Sequence, residues 1–97
     1  MAQSSFVHET QTIRKMAVDP ACKWKWTDHA LKMMLKFRPS VTQPDVENAL
    51  TKGQVILLEH IKDITWRVRG PDLDGNNITV VVAPTMDPPR IKVITVF

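Results

Sequence analysis

The chain of 97 residues has one cysteine, three glycines and no tyrosine. A lone thiol cannot close an internal disulfide, and Cys22, between Ala21 and Lys23, has no CxxC partner for zinc or redox work. Of the glycines, Gly53 is required at a helix end and Gly75 at a turn, which leaves one, too few for a phosphate-cradling loop; nucleotide-dependent chemistry is not expected. No apolar run approaches the roughly 20 residues that span a bilayer. The start, MAQSSFVHETQTIRK, lacks a basic segment followed by an apolar one, so a cytoplasmic protein with no membrane partner is expected. The histidines, His8, His29 and His60, show neither HxxxH nor HExxH spacing, so neither a metal site nor a cofactor is expected. The segment Asp72-Leu73-Asp74-Gly75-Asn76 has its glycine in the wrong place for a calcium loop, and a hairpin turn accounts for it better.

What is present is ordinary for a chain that folds. Hydrophobic residues make up 43% and charged residues 24%, outside the signature of disorder, and the length fits one domain with a shallow groove rather than a deep pocket. The net charge of +3 permits an acidic partner such as nucleic acid without requiring one. Residues 54–97 balance five Lys/Arg against five Asp/Glu, so the strand face that holds the arginines matters more than the total.

Residues 1–20 are polar, with scattered Phe6, Val7, Ile13 and Met16, and stop at Asp19-Pro20. Residues 1–24 therefore read as an N-terminal arm with room for one short helix, and 25–97 as the domain. Thr27 caps a helix over 28–37, in which Leu31, Met34 and Leu35 form one apolar stripe and His29, Lys32 and Lys36 a polar side. A second helix over 43–52 is signalled by Thr42 with Pro44 and Asp45, and Gly53 is expected to end it in a left-handed conformation. Strands follow over 54–60, 64–70, 78–84 and 91–97, with Asp74-Gly75 turning the middle hairpin. The last two, apolar on both faces, are expected to be central. Trp24 and Trp26 are expected to lie against the first helix. The fold class is α+β: two N-terminal helices packed on one face of a four-stranded, mainly antiparallel sheet, with the other face free for function.

His29, in the first turn of its helix, is a candidate general base or phosphate contact, against the plainer reading of a partly buried, hydrogen-bonded ring. Arg67 and Arg69 fall on one strand face with Thr65, where paired guanidinium donors can hold phosphate. Strict alternation puts Lys92 and Thr95 on opposite faces, so only one of them is expected to join the arginines.

Together, 27-TDHALKMM-34, 42-TQPDVENALTKG-53, 66-WRVRGPDLDGNNITVVVAP-84 and 91-IKVITVF-97 resemble a small domain family placed with the RelE-like and BrnT-like ribonuclease toxins. The resemblance covers roughly residues 25–97. It implies a RelE/barnase-like fold and metal-independent cleavage of RNA, with RNA, in association with the ribosome, and an antitoxin or immunity protein as partners. By the same resemblance the catalytic positions are His29, Arg67, Arg69 and Thr95, and the RNA-binding positions Lys92, Arg90, Lys32 and Lys36. Two departures stand out. Met33 and Phe37 occupy positions where such toxins often carry arginines, and Phe97 ends the chain with a ring but no hydroxyl. The alternatives are a non-catalytic RNA- or protein-binding module that keeps this fold, and a partner protein that pairs through an exposed last strand.

Overall fold

A computed structural model describes residues 6–60 and 64–97; residues 1–5 of the expected arm lie outside the described residues. The element order is α1 (Val7–Val18), β1 (Lys23–Trp26), α2 (Asp28–Phe37), α3 (Gln43–Lys52), β2 (Gln54–His60), β3 (Ile64–Pro71), β4 (Asn77–Met86) and β5 (Pro89–Val96). The strands form one mixed sheet in the order β1-β5-β4-β3-β2, with β1 parallel to β5 and every other pair antiparallel.

The expected two helices and four strands thus become three helices and five strands. The extra helix, α1, is polar outside but buries Thr10, Ile13 and Met16 in one narrow stripe. It is held by polar bonds as well as by packing. The buried Thr10 hydroxyl accepts from the Val55 N–H at 3.0 Å, and Arg14 donates to the Gly53 and Lys52 carbonyls, which end α3 without helical partners. The extra strand, β1, is the Lys23-Trp24-Lys25-Trp26 segment. Its tryptophans, stacked with centroids 5.9 Å apart, pack toward the core while the lysines face away. The tryptophans therefore project from an edge strand of the sheet toward the helix layer. Because β1 covers it, β5 is an interior strand beside β4, as the apolar character of both predicts, and the sheet edges are β1 and β2, which leaves no exposed last strand among the described residues for the alternative of a partner paired through it.

Ile13, Ala30, Met34, Val46, Ala49 and Leu50 from the helices meet Val55, Val68, Val80, Val82, Ile91, Val93 and Val96 from one face of the sheet in a single core. Thr27 fixes α2 to that layer. Its hydroxyl accepts from the Ala30 N–H and donates to the Val93 carbonyl at 2.8 Å, joining the helix cap to the neighbouring strand.

Helix α3 opens with a complete capping box. Thr42 Oγ1 accepts from the Asp45 N–H, and Asp45 accepts from the Thr42 N–H at 2.7 Å. Asp45 also accepts from the Leu73 N–H at 2.9 Å, while the Asn48 amide donates to the Pro71 and Asp72 carbonyls. One helix start therefore anchors the β3–β4 hairpin. In that hairpin Asp72 Oδ1 accepts from the N–H groups of Asp74 and Asn76, and Gly75 takes φ of 89°.

Hydrogen bonds from the backbone N–H of Thr42, then that of Leu73, hold the Asp45 carboxyl below its ordinary pKa against the opposing effect of burial. A depressed folded-state pKa contributes stability that is complete above the unfolded value and is lost as pH falls through the folded one. Asp45→Asn is therefore expected to cost about 1–2 kcal/mol at pH 7. It should also flatten the fall in stability below about pH 4, a difference that urea melts across pH will resolve. Equal pH dependence in the two proteins would refute the assignment.

Candidate functional site

On β3 the side chains of Trp66 and Val68 are buried with Gly70 on the helix side, so Arg67 and Arg69 project from the opposite, open face. Cross-strand register then identifies their neighbours. Arg67 pairs with Val81 and Val81 with Thr95, forming one row; Arg69 pairs with Thr79, which exchanges backbone hydrogen bonds with Phe97, forming the next.

The same face carries Lys92 opposite Ala83 and Arg90 opposite Thr85. Strict alternation along the last strand would have separated Lys92 from Thr95. The register instead shifts between Val81 and Val82: Val81 faces Thr95 while Val82 faces Val93, which leaves Ile94 as the extra residue of a bulge. Burial agrees, since Ile91, Val93 and Val96 are all at 0% exposure on the inner side. The bulge therefore brings both Lys92 and Thr95 onto the arginine face, correcting the expectation that only one could join it.

Two cations missed in the sequence belong here as well. Lys25 pairs with Lys92 and Lys23 with Arg90, extending the basic surface across β1. The signal was available in the alternation Lys23-Trp24-Lys25-Trp26, which is a strand pattern. Glu59 is the other missed residue; it lies at 3.3 Å from Arg67 in an ion pair whose side chains are each about one-third exposed. Its place in β2 was obscured by a second bulge, at Ile56 between the paired residues Val55 and Leu57.

Arg67 is the focus of the face. Its guanidinium carbon lies 5.4 Å from the centre of the Phe97 ring, one NH2 group donates to Glu59, and the buried Nε–H has no hydrogen-bond partner. Leaving a buried donor unused costs on the order of 1–3 kcal/mol. Arg69 is exposed and donates to Thr79 Oγ1 at 3.4 Å.

The remaining sequence candidates lie elsewhere in the fold. His29, Lys32 and Lys36 are exposed on α2, which packs on β5 from the inner side through Ala30 and Met34. The His29 side chain makes no hydrogen bond or ion pair with the arginine face. Lys36 lies over the Phe37 ring at 5.2 Å, in keeping with a solvated helix side. Cys22 is buried beside Ile91, and burial, reinforced by the Asp19 charge, pushes its thiol pKa up, which keeps it protonated and unreactive at neutral pH.

A family model described as a domain of unknown function, DUF4258, matches residues 26–97. The matched span runs from the last residue of β1 to the end of the chain and contains every strand pair of the antiparallel part of the sheet. No curated protein and no solved structure matches the chain. No helix among the described residues is long and apolar enough to cross a membrane.

Proposed function

Since the chain belongs to the DUF4258 family, whose description assigns no activity, we propose from its own residues that it is an endoribonuclease of toxin type, with the open sheet face as its RNA site. The observation that carries this reading is the grouping of Arg67, Arg69, Arg90, Lys92, Lys23 and Lys25 on one open face, with Glu59 beside them. The sequence resemblance to RelE-like and BrnT-like toxins supports it from an independent direction.

Cleavage by the RNA's own hydroxyl needs no added redox partner or group donor. The 2′-oxygen forms a bond to the neighbouring phosphorus, the bond to the 5′-oxygen breaks, and the products are a 2′,3′-cyclic phosphate and a 5′-hydroxyl. A base takes the 2′ proton and an acid returns one to the leaving oxygen. On this face Glu59 is the available carboxylate base, and water supplies the proton to the leaving oxygen. Arg67 and Arg69 hold the phosphate and stabilise the extra negative charge of the transition state, the task that a metal performs in other nucleases. The Thr95 hydroxyl donates to a phosphate oxygen from the row that holds Arg67.

The test is incubation of purified protein with single-stranded RNA in the presence of a chelator, with mass spectrometry of the new ends. Cyclic-phosphate ends from the wild type, lost in Glu59→Gln and kept in His29→Ala, are the expected result. Loss in His29→Ala with retention in Glu59→Gln would return the acid/base role to the histidine. A second reading, a module that binds RNA without cutting it, is favoured by the pairing of Glu59 with Arg67, which occupies the carboxylate. Salt-sensitive binding with intact RNA would select that reading, and absence of both binding and cleavage would reject the two together.

A further inference from the structure

Beside the arginine rows lies an open groove of about 610 Å³, and its composition differs from that of the rest of the face. Lys25, Arg90 and Lys92 supply positive charge, while Ala83 on the same face, joined by Ile64 and Pro84 where β4 runs on past the start of β3, supplies an apolar floor. Ile64 is 55% exposed at the start of β3, and Pro84 is half-buried on β4. Backbone geometry sets the separation of the two sites. Ala83 and Lys92 lie one row, two residues, beyond Val81 and Thr95, about 6.8 Å along the strands. Lys92 is also two strands from Arg67, about 9.6 Å across the sheet. One phosphate held by Arg67 and Arg69 therefore cannot also fill this groove, but the next unit of the same polymer reaches it.

Resting on the ribonuclease reading above, we propose that this groove is a second subsite, which takes the nucleotide adjoining the one held at the arginines and so selects single-stranded RNA. Lys25, Arg90 and Lys92 neutralise its phosphate, and the base lies on Ile64, Ala83 and Pro84. The floor is what argues for a single strand. A duplex hides the faces of its bases and presents phosphate and groove edges, for which an apolar floor between cations is of no use. An unpaired base has a free face to cover, and aliphatic contact accepts any base, so the subsite measures strandedness and length rather than sequence.

The experiment compares binding of fluorescent RNA probes by anisotropy across salt: a dinucleotide with one internucleotide phosphate, a tetranucleotide with three, and a duplex. Three proteins are used: wild type, Lys25→Ala/Arg90→Ala, and Lys15→Ala/Arg38→Ala, which removes the same charge from exposed positions on the helix layer. Wild type is expected to bind the tetranucleotide at least about tenfold more tightly than the dinucleotide. The groove variant should lose that gain, with a log–log salt dependence shallower by about 1.4 on the tetranucleotide, and the control variant should keep it. Persistence of the gain in the groove variant, or its equal loss in the control, overturns the subsite while leaving RNA binding at the arginines standing. Tighter binding of the duplex than of the tetranucleotide overturns the single-strand assignment. Failure of the wild type to bind any probe removes the ribonuclease reading and the subsite with it.

Discussion

Replacing Arg67 and Arg69 together by alanine is expected to reduce RNA cleavage at least about a thousandfold, because removal of a single donor to a developing oxyanion costs about 10²–10³ in rate. The loss should have two separable parts. The affinity part appears as a log–log salt dependence shallower by about 1.4, reflecting two lost contacts to a single strand at about 0.7 each. The remainder should appear in the single-turnover rate at saturating RNA. The pair Arg67→Lys/Arg69→Lys separates charge from geometry. Lysine restores a positive charge but not the planar fork, so the salt dependence should return toward wild type while the rate stays low. Both alanine substitutions also remove contacts within the fold, to Glu59 and Phe97 in one case and to Thr79 in the other. All three partners are on the open face, outside the core, so thermal melting of the variants should stay close to wild type. Wild-type cleavage by both double variants would place the chemistry elsewhere on the molecule.

The basic face was only half legible in the sequence, and the reason is local geometry. Alternation in 64-ITWRVRG-70 was sufficient to put Arg67 and Arg69 together, because β3 runs without a bulge and its inner residues are Trp66, Val68 and Gly70. Alternation failed in β5, where the register shift beside Val81 has no marker: Ile94, Thr95 and Val96 are all β-branched and equally at home on either face. The bulge in β2 hid Glu59 in the same way. By contrast, α2 and α3 have the limits read from sequence, since Thr27 and Thr42 cap them and Pro44 sets the first turn of α3. Those signals are local, and local signals survive without tertiary information. β1 does not: four residues pairing in parallel with the far end of the chain depend on β5 being in place. Likewise α1 has few apolar residues and gains its order from Thr10 and Arg14, whose partners lie 45 and 39 residues away.

Gly53 shows a different kind of gap, and it leads to the largest expected change in stability. The residue was expected to be left-handed, yet it has φ of −85° and ψ of −171°, extended backbone open to any side chain. Glycine stands there for lack of room. A Cβ at Gly53 would meet the carbonyl oxygens of Ala49 and Arg69, and a Cβ at Gly70 would meet the Ala49 carbonyl oxygen and lie 2.7 Å from Gly53 Cα. The end of α3 therefore rests directly on the backbone of β3, with Ala49, Gly53 and Gly70 as the contact. Every atom in the way is backbone, so no side chain can rotate aside, and relief requires α3 to lift from the sheet. Gly70→Ala is expected to cost about 3 kcal/mol, the upper part of the usual range for overpacking, with a fall in Tm of more than about 10 °C. The effect should extend beyond stability. Arg69 precedes Gly70 and shares its strand, while Arg14 bonds the carbonyls of Lys52 and Gly53 beneath it, so lifting α3 disturbs both the α1 anchor and the register that aims the arginines. Calorimetry of Gly70→Ala beside Gly75→Ala distinguishes the two roles of glycine. The second substitution meets no atom within 4 Å and strains only a turn at φ of 89°, so it should cost about 1–2 kcal/mol. Equal losses in the two variants would mean that the close approach of α3 to β3 is not what excludes a side chain at Gly70.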